Sequence, residues 1–230
     1  MRQTWHDLLF AHWALEPDAV RAAMPPPLRA YLDTYDGKAY IGVIPFWMSK
    51  VRGRGVPPLP TAGTFPELNV RTYVTIDGKP GVYFFSLDAA SLLAVVGARI
   101  GFSLRYYWAE MKCEVGEEDV HYLSRRLQSP KPADFRGSYK AVGAATQSAP
   151  GSLEHFVTER YCLYAVRGEK VLRANIHHHP WPLQRAEAQI EVNSMASASG
   201  INLPNKEPVL HFAKRMDVLV WMVEKAGGGL

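Results

Sequence analysis

A mainly β protein, an antiparallel sheet or barrel (β-rich α+β) with a few accessory helices, is predicted by three features of this 230-residue sequence. Asp36-Gly37 and Asp77-Gly78 each separate two strand-forming runs, the turn chemistry of tight hairpins. Thr64–Val74 alternates polar and apolar residues with the period of a strand. Against these stands one convincing helical stripe, Ala90–Ile100, with Leu92, Val95, Val96, Arg99 and Ile100 at helical spacing and Asp88 or Ser91 as its cap.

Taken in order, Pro17 opens a short helix through Ala22, since proline suits the first helical position, and Pro25-Pro26-Pro27 ends it. The first hairpin joins Ala30–Tyr35 to Lys38–Met48. Gly53–Pro66 is a flap or connector, and the second hairpin joins the alternating strand to Gly81–Asp88. Tyr106–Cys113 and Asp119–Leu127 read as strands around a Gly116 turn, followed by a loop over Ser129–Gly137 and a small-residue stretch over Gly143–Ser152. Ser152–Thr158 reads as one helical turn before a strand at Glu159–Val166, which turns at Gly168 into Lys170–His177. Val209–Val223 is apolar enough for a final buried strand or helix. Neither a repeat nor a break in composition divides the chain, so residues 1–226 are expected to form one domain and 227–230 a flexible tail.

Composition narrows the function classes. The chain is 47% hydrophobic and 21% charged, enough to bury a substantial core. Its net charge of +4 is mild and its basic residues are scattered, which argues against nucleic acid as a partner. No apolar run is long enough to span a membrane, and MRQTWHDLL lacks the apolar region of a secretory signal. Two cysteines, Cys113 and Cys162, without a CxxC pair, fit a cytoplasmic protein with buried, inert thiols. GxSxG, P-loop, GxGxxG and HExxH patterns are all missing.

What remains is polar chemistry on strands. Glu67, Asn69, Arg71 and Tyr73 fall on one face of the alternating strand. If that face lines a barrel, Arg71 is a clamp for a carboxylate and Glu67 a general acid or base. The alternative is a Glu67–Arg71 diagonal pair that satisfies a partly buried sheet. In TERYCLY, Arg160 and Tyr164 share a face and extend the same anion-binding wall, or else form a structural ion pair. Of His177-His178-His179, only the outer two share a strand face, too few ligands for a metal site. His178 is the candidate for proton handling.

The segments LLFAHW, IGVIPFWM, FPELNVRTYV, GVYFFSLDA, LEHFVTERYCLY, HHPWPL and LHFA, taken together, resemble the bacterial YqjF-like family, a domain of unknown function. The likeness runs from about Trp5 to Trp221. That family is similar in fold to acetoacetate decarboxylase, which implies a cone-shaped antiparallel β-barrel around a central cavity. The superfamily enzyme carries a Schiff-base lysine in a loop reading GFPKK, just after a helix that follows a buried strand. Here the loop reads GFSLRYY: Gly101-Phe102 match, but Leu104, Arg105 and Tyr106 stand where the lysines are expected. Neither arginine nor tyrosine forms an imine, so the resemblance argues against imine decarboxylation. Arg105 either substitutes a fixed positive charge or is an exposed loop arginine, and Glu67, just after a proline, also matches the superfamily pattern. The resulting expectation is a small-molecule-binding barrel for a carboxylate- or carbonyl-bearing ligand, without cofactor or metal. Acid–base chemistry of lyase or hydrolase type through Glu67 and Arg71 is the alternative, and homo-oligomerisation is left open.

Overall fold

The computed structural model describes residues 1–53, 63–92, 104–127 and 131–226. Twelve strands form one sheet. They are β1 Arg2–Leu15, β2 Ala39–Arg52, β3 Phe65–Ile76, β4 Lys79–Ala89, β5 Tyr106–Val115, β6 Val120–Arg126, β7 Asp134–Thr146, β8 Cys162–Arg167, β9 Lys170–His177, β10 Leu183–Asn193, β11 Val209–Val220 and β12 Glu224–Lys225. Among the described residues three short helices, α1 Pro17–Ala23, α2 Leu153–Thr158 and α3 Met195–Ala198, and a 3-10 turn at Pro26–Tyr31 accompany them. Among the described residues no helix is long and apolar enough to cross a membrane.

Both Asp-Gly pairs adopt the left-handed turn that their chemistry calls for: φ is +49° and +72° at Asp36-Gly37, and +52° and +69° at Asp77-Gly78. The second closes the β3–β4 hairpin. The first differs from expectation, because Ala30–Tyr35 is not a strand. The prolines end α1 and at once start the 3-10 turn, which buries Leu28, leaving only isolated bridges at Leu32 and Tyr35. Two further boundaries move. Asp134–Gly137, read as loop, belongs to β7, and Glu159–Tyr161, read as strand, precedes β8. The helix expected over Ala90–Ile100 lies mostly outside the described residues, as does most of the Gly53–Pro66 connector.

Five strands in the order β4-β3-β2-β1-β11 make a wall, and both of its edges fork. The outer edge of β4 pairs with β8 at Val82–Tyr83 and then with β5 at Leu87–Ala89. The outer edge of β11 pairs with β10 at His211–Phe212 and then with β9 at Leu219–Val220. One branch, β8–β9, closes the sheet over one face of the wall. The other, β5-β6-β7-β10, closes it over the opposite face. Each face therefore has its own core. Leu68, Val70 and Val74 pack with Leu9, Val43, Tyr122 and Phe135 on the long-branch side. Tyr73 packs with Phe10, Phe46, Leu163, Ala174 and Trp181 beneath β8–β9. A strand covered on both sides is expected to be apolar throughout, so the polar residues that β3 retains need an explanation.

One buried ion pair fastens the fork on the long-branch side. Arg126 on β6 holds Asp88 on β4 through Nε and Nη2, at 2.6 and 2.7 Å, and its guanidinium lies 3.8 Å from the Tyr107 ring. Asp88 is thus a buried ion-pair partner, and most of the helix that its position suggested it caps lies outside the described residues. Arg126→Met, which strands the Asp88 carboxylate, is expected to cost about 3–5 kcal/mol in urea unfolding, while adding Asp88→Leu recovers much of the loss. Unchanged stability in the single variant would show that the pair carries no weight.

Candidate functional site

Beneath the β8–β9 hairpin, β3 presents Glu67, Asn69, Arg71 and Tyr73 on one face, and all four are buried, at 3%, 5%, 8% and 0% exposure. The polar heads therefore turn away from solvent. Glu67 and Arg71 do not pair. Four residues along a strand separate them by roughly 13 Å, and each has other partners. The Tyr106 hydroxyl donates to Glu67 Oε2 at 2.8 Å. Arg71 donates from Nε to the Tyr73 hydroxyl at 3.2 Å and from Nη2 to the Val157 carbonyl of α2 at 3.0 Å, leaving Nη1 outside both bonds. Among the described residues Arg71 meets no carboxylate, although its guanidinium lies 5.5 Å from the Phe10 ring. Between these two heads, Asn69 Oδ1 is buried without a hydrogen-bond partner among the described residues.

Burial acts on the two ends in opposite ways. It pushes the Glu67 carboxyl up to about 8, against the lowering effect of the Tyr106 hydrogen bond and with a smaller push from the Asp88 charge, so this group is largely protonated at neutral pH. Arginine keeps its charge when buried. The face thus pairs a neutral acid at one end with an unanswered cation at the other.

Two of the other expected residues join this face. Arg160 donates to the Phe156 carbonyl at 2.6 Å and pairs with Asp33 at 2.8 Å, with its guanidinium 4.3 Å from the Phe156 ring and 5.1 Å from that of Tyr73. It is a structural ion-pair residue that also adds positive potential near Tyr73. His178 is buried, while His177 and His179 are exposed. Its Nδ1 donates to the His179 carbonyl at 2.7 Å, its ring stacks on Tyr161 and packs against Trp181, and burial lowers its pKa. Among the described residues no three His, Cys, Asp or Glu side chains are placed to hold a metal ion.

Two expected residues lie elsewhere. The Tyr164 hydroxyl donates to the Lys79 carbonyl at 2.9 Å, on the opposite face of β8. Arg105 is exposed and shares with Tyr164 a separate cleft of about 250 Å³ where β8 and β5 part from β4. Leu104 and Tyr106, on either side of Arg105, are half-buried and pack against the same core as Tyr73, whereas Arg105 is exposed. All ten lysines of the chain are exposed.

Sequence reasoning missed His12, His211 and Tyr106. His12 sits on β1 with Nε2 2.6 Å from the Tyr73 hydroxyl. A signal for it was present: its cross-strand partner is Gly42, where an added Cβ would lie 2.9 Å from His12 Nε2. Glycine inside a strand marks such a close approach.

Glu67 also makes stability depend on pH. Its folded pKa of about 8 exceeds the ordinary 4.5, so the folded state binds the extra proton. The associated stability is complete below about 4.5 and is lost as pH rises through 8. Burial holds His12, His178 and His211 below 6.5, and they act with the opposite sign, costing stability as pH falls through 6.5. Comparison with Glu67→Gln isolates the carboxyl. From pH 5 to 8 the native protein should lose stability relative to the variant at up to about 1.4 kcal/mol per pH unit. Parallel unfolding curves across that range would exclude a strongly raised Glu67.

Comparison with known proteins places this geometry in context. The uncharacterised protein YqjF of Bacillus subtilis (strain 168) is 48% identical over 225 residues, covering 98% of this chain and 92% of that protein. Among solved structures, acetoacetate decarboxylase from Legionella pneumophila superposes with a TM-score of 0.64 at 13% identity, over 98% of this chain and 88% of that one. The enduracididine biosynthesis enzyme MppR, complexed with pyruvate, gives 0.64 at 10% identity, over 97% of this chain and 89% of that one. These distant likenesses establish the fold, that of the acetoacetate decarboxylase-like proteins. The model of the family DUF2071, described as an uncharacterized conserved protein, matches residues 2–217, and the chain belongs to that family.

Proposed function

We propose that this protein binds a small carboxylate- or carbonyl-bearing molecule on the polar face of β3, with Arg71 as the carboxylate clamp. The observation that carries this reading is the buried guanidinium without a carboxylate partner among the described residues. An unanswered buried charge is costly, and a planar fork with a free nitrogen is suited to a carboxylate oxygen. Asn69 Oδ1, unpartnered between Arg71 and Glu67, accepts a donor from the ligand's middle. Neighbouring folds that include a pyruvate complex and a decarboxylase of a keto acid make such ligands a sensible first choice.

Acid–base turnover, of lyase or hydrolase type, is the second reading, and the raised pKa of Glu67 favours it. A carboxyl held near 8 by burial can give or take a proton at neutral pH. In this reading Glu67, aligned by Tyr106, is the proton carrier and Arg71 positions the substrate. Imine catalysis is not part of the proposal, because a Schiff-base lysine needs a desolvated amine and every lysine here is exposed. The half-buried Cys113, its thiol pushed up to about 12 by burial, and the buried Cys162 have no nucleophilic role and fit a cytoplasmic setting.

Pyruvate and acetoacetate, titrated by calorimetry, are the first probes, alongside mass spectrometry of small molecules that co-purify with the protein. Arg71→Gln should weaken binding of the carboxylate at least tenfold. Glu67→Gln should leave binding within a few-fold while abolishing any turnover. Equal affinity in native protein and Arg71→Gln would sink the clamp. Borohydride trapping of a ketone on any lysine would overturn the imine-free reading.

A further inference from the structure

The Arg71 end of the interior face continues into a chain of polar groups that reaches the outer surface. The Tyr73 oxygen accepts from Arg71 Nε, and arginine can only donate. The hydrogen of the Tyr73 hydroxyl therefore points to its other partner, His12 Nε2, 2.6 Å away. With Nε2 accepting, neutral His12 carries its proton on Nδ1, and that buried nitrogen has no partner among the described residues. On β11, His211 Nε2 lies 3.6 Å from Glu154 Oε1 and so carries the proton on that side. Its buried Nδ1 is then a lone-pair acceptor, and it too has no partner.

The two orphaned nitrogens are complementary, one a donor and the other an acceptor. They also share a face. His211 stands directly opposite Phe10 across the β1–β11 ladder, and His12 lies two residues further along β1 on the same side, the diagonal relation in which long side chains reach each other. His12 and Phe10 rings lie 6.3 Å apart and nearly parallel. Glu154 is 42% exposed and, with His211 and Arg185, lines an outer groove of about 990 Å³.

We propose that Tyr73, His12, His211 and Glu154 form a proton relay, with one water or ligand hydroxyl between the two Nδ1 atoms, leading from the Arg71 end of the site to this groove. Its substrate is a carbon or oxygen acid whose carboxylate Arg71 holds, so the relay rests on the proposed ligand face. Every hydrogen in the chain points outward. The Tyr73 oxygen takes a proton from the bound acid as its own proton passes to His12 Nε2. The His12 Nδ1 proton moves to the bridging oxygen, which gives one to His211 Nδ1. The His211 Nε2 proton passes to Glu154, which releases it to water in the groove. Both imidazoles end as the opposite tautomer, no relay group gains net charge, and the substrate anion is left beside Arg71.

Ring-nitrogen NMR of the whole protein labelled at histidine tests this without any ligand. His12 should be protonated at Nδ1 and His211 at Nε2. Exchange of the His12 Nδ1 proton with solvent should slow at least tenfold in Glu154→Gln and in His211→Phe. A His12 protonated at Nε2, or exchange unmoved by Glu154→Gln, overturns the relay. Glu154 is solvent-accessible, so its variant carries the test even where His211→Phe fails to fold. Because no carboxylate is added, failure here is separate from failure of the Arg71 titration.

Discussion

A guanidinium removed from water must be answered by oxygen, and among the described residues Arg71 is answered only by a phenol and one backbone carbonyl. Phe10 and Tyr73 place ring faces near the cation, which is weak compensation for lost hydration. Arg160, 5.1 Å from the Tyr73 ring, is already paired with Asp33 and does not offset the Arg71 charge. The opposite end of the same strand face meets the reverse demand. There Glu67 avoids the cost of burial by holding its proton. One strand therefore carries a permanent cation and a conditional acid under one cover.

That arrangement depends on the forked wall. Because β4 and β11 each change partner along their length, the five central strands are buried on both faces, and two cores form back to back. The face toward the long branch is closed by apolar packing and the Arg126–Asp88 pair. The face toward β8–β9 keeps the polar residues together with Trp181 and Phe46. The two sides of the same strands thus differ in kind, one apolar with a closed ion pair and the other retaining the buried polar groups. Replacing Asp88 tests the first and replacing Glu67 the second, although Asp88 lies directly across the ladder from Leu68, Glu67's neighbour in sequence.

Much of this was legible in the sequence because it rests on local rules. The Asp-Gly turns and the alternation of β3 follow from backbone geometry that acts over a few residues. The fork does not. Which strand joins β4 at Val82–Tyr83 is decided by contacts more than seventy residues apart, so Arg160 and Tyr164 looked equivalent although one lies beside Tyr73 and the other behind β8. His12 was hidden for the same reason: its role appears only once β3 brings Tyr73 alongside. Proline chemistry misled at Ala30–Tyr35, where residues that end one helix begin another turn.

The β8–β9 hairpin that roofs the polar face is joined to the wall by two residue pairs at β4 and two at β11. Neighbouring wall strands share far longer ladders, such as the ten pairs of β1 with β11. Local opening begins where fewest backbone bonds must break. The eaves of this roof therefore lift before the timbers part, and a solute can reach the buried cation while the five shared strands stay in register.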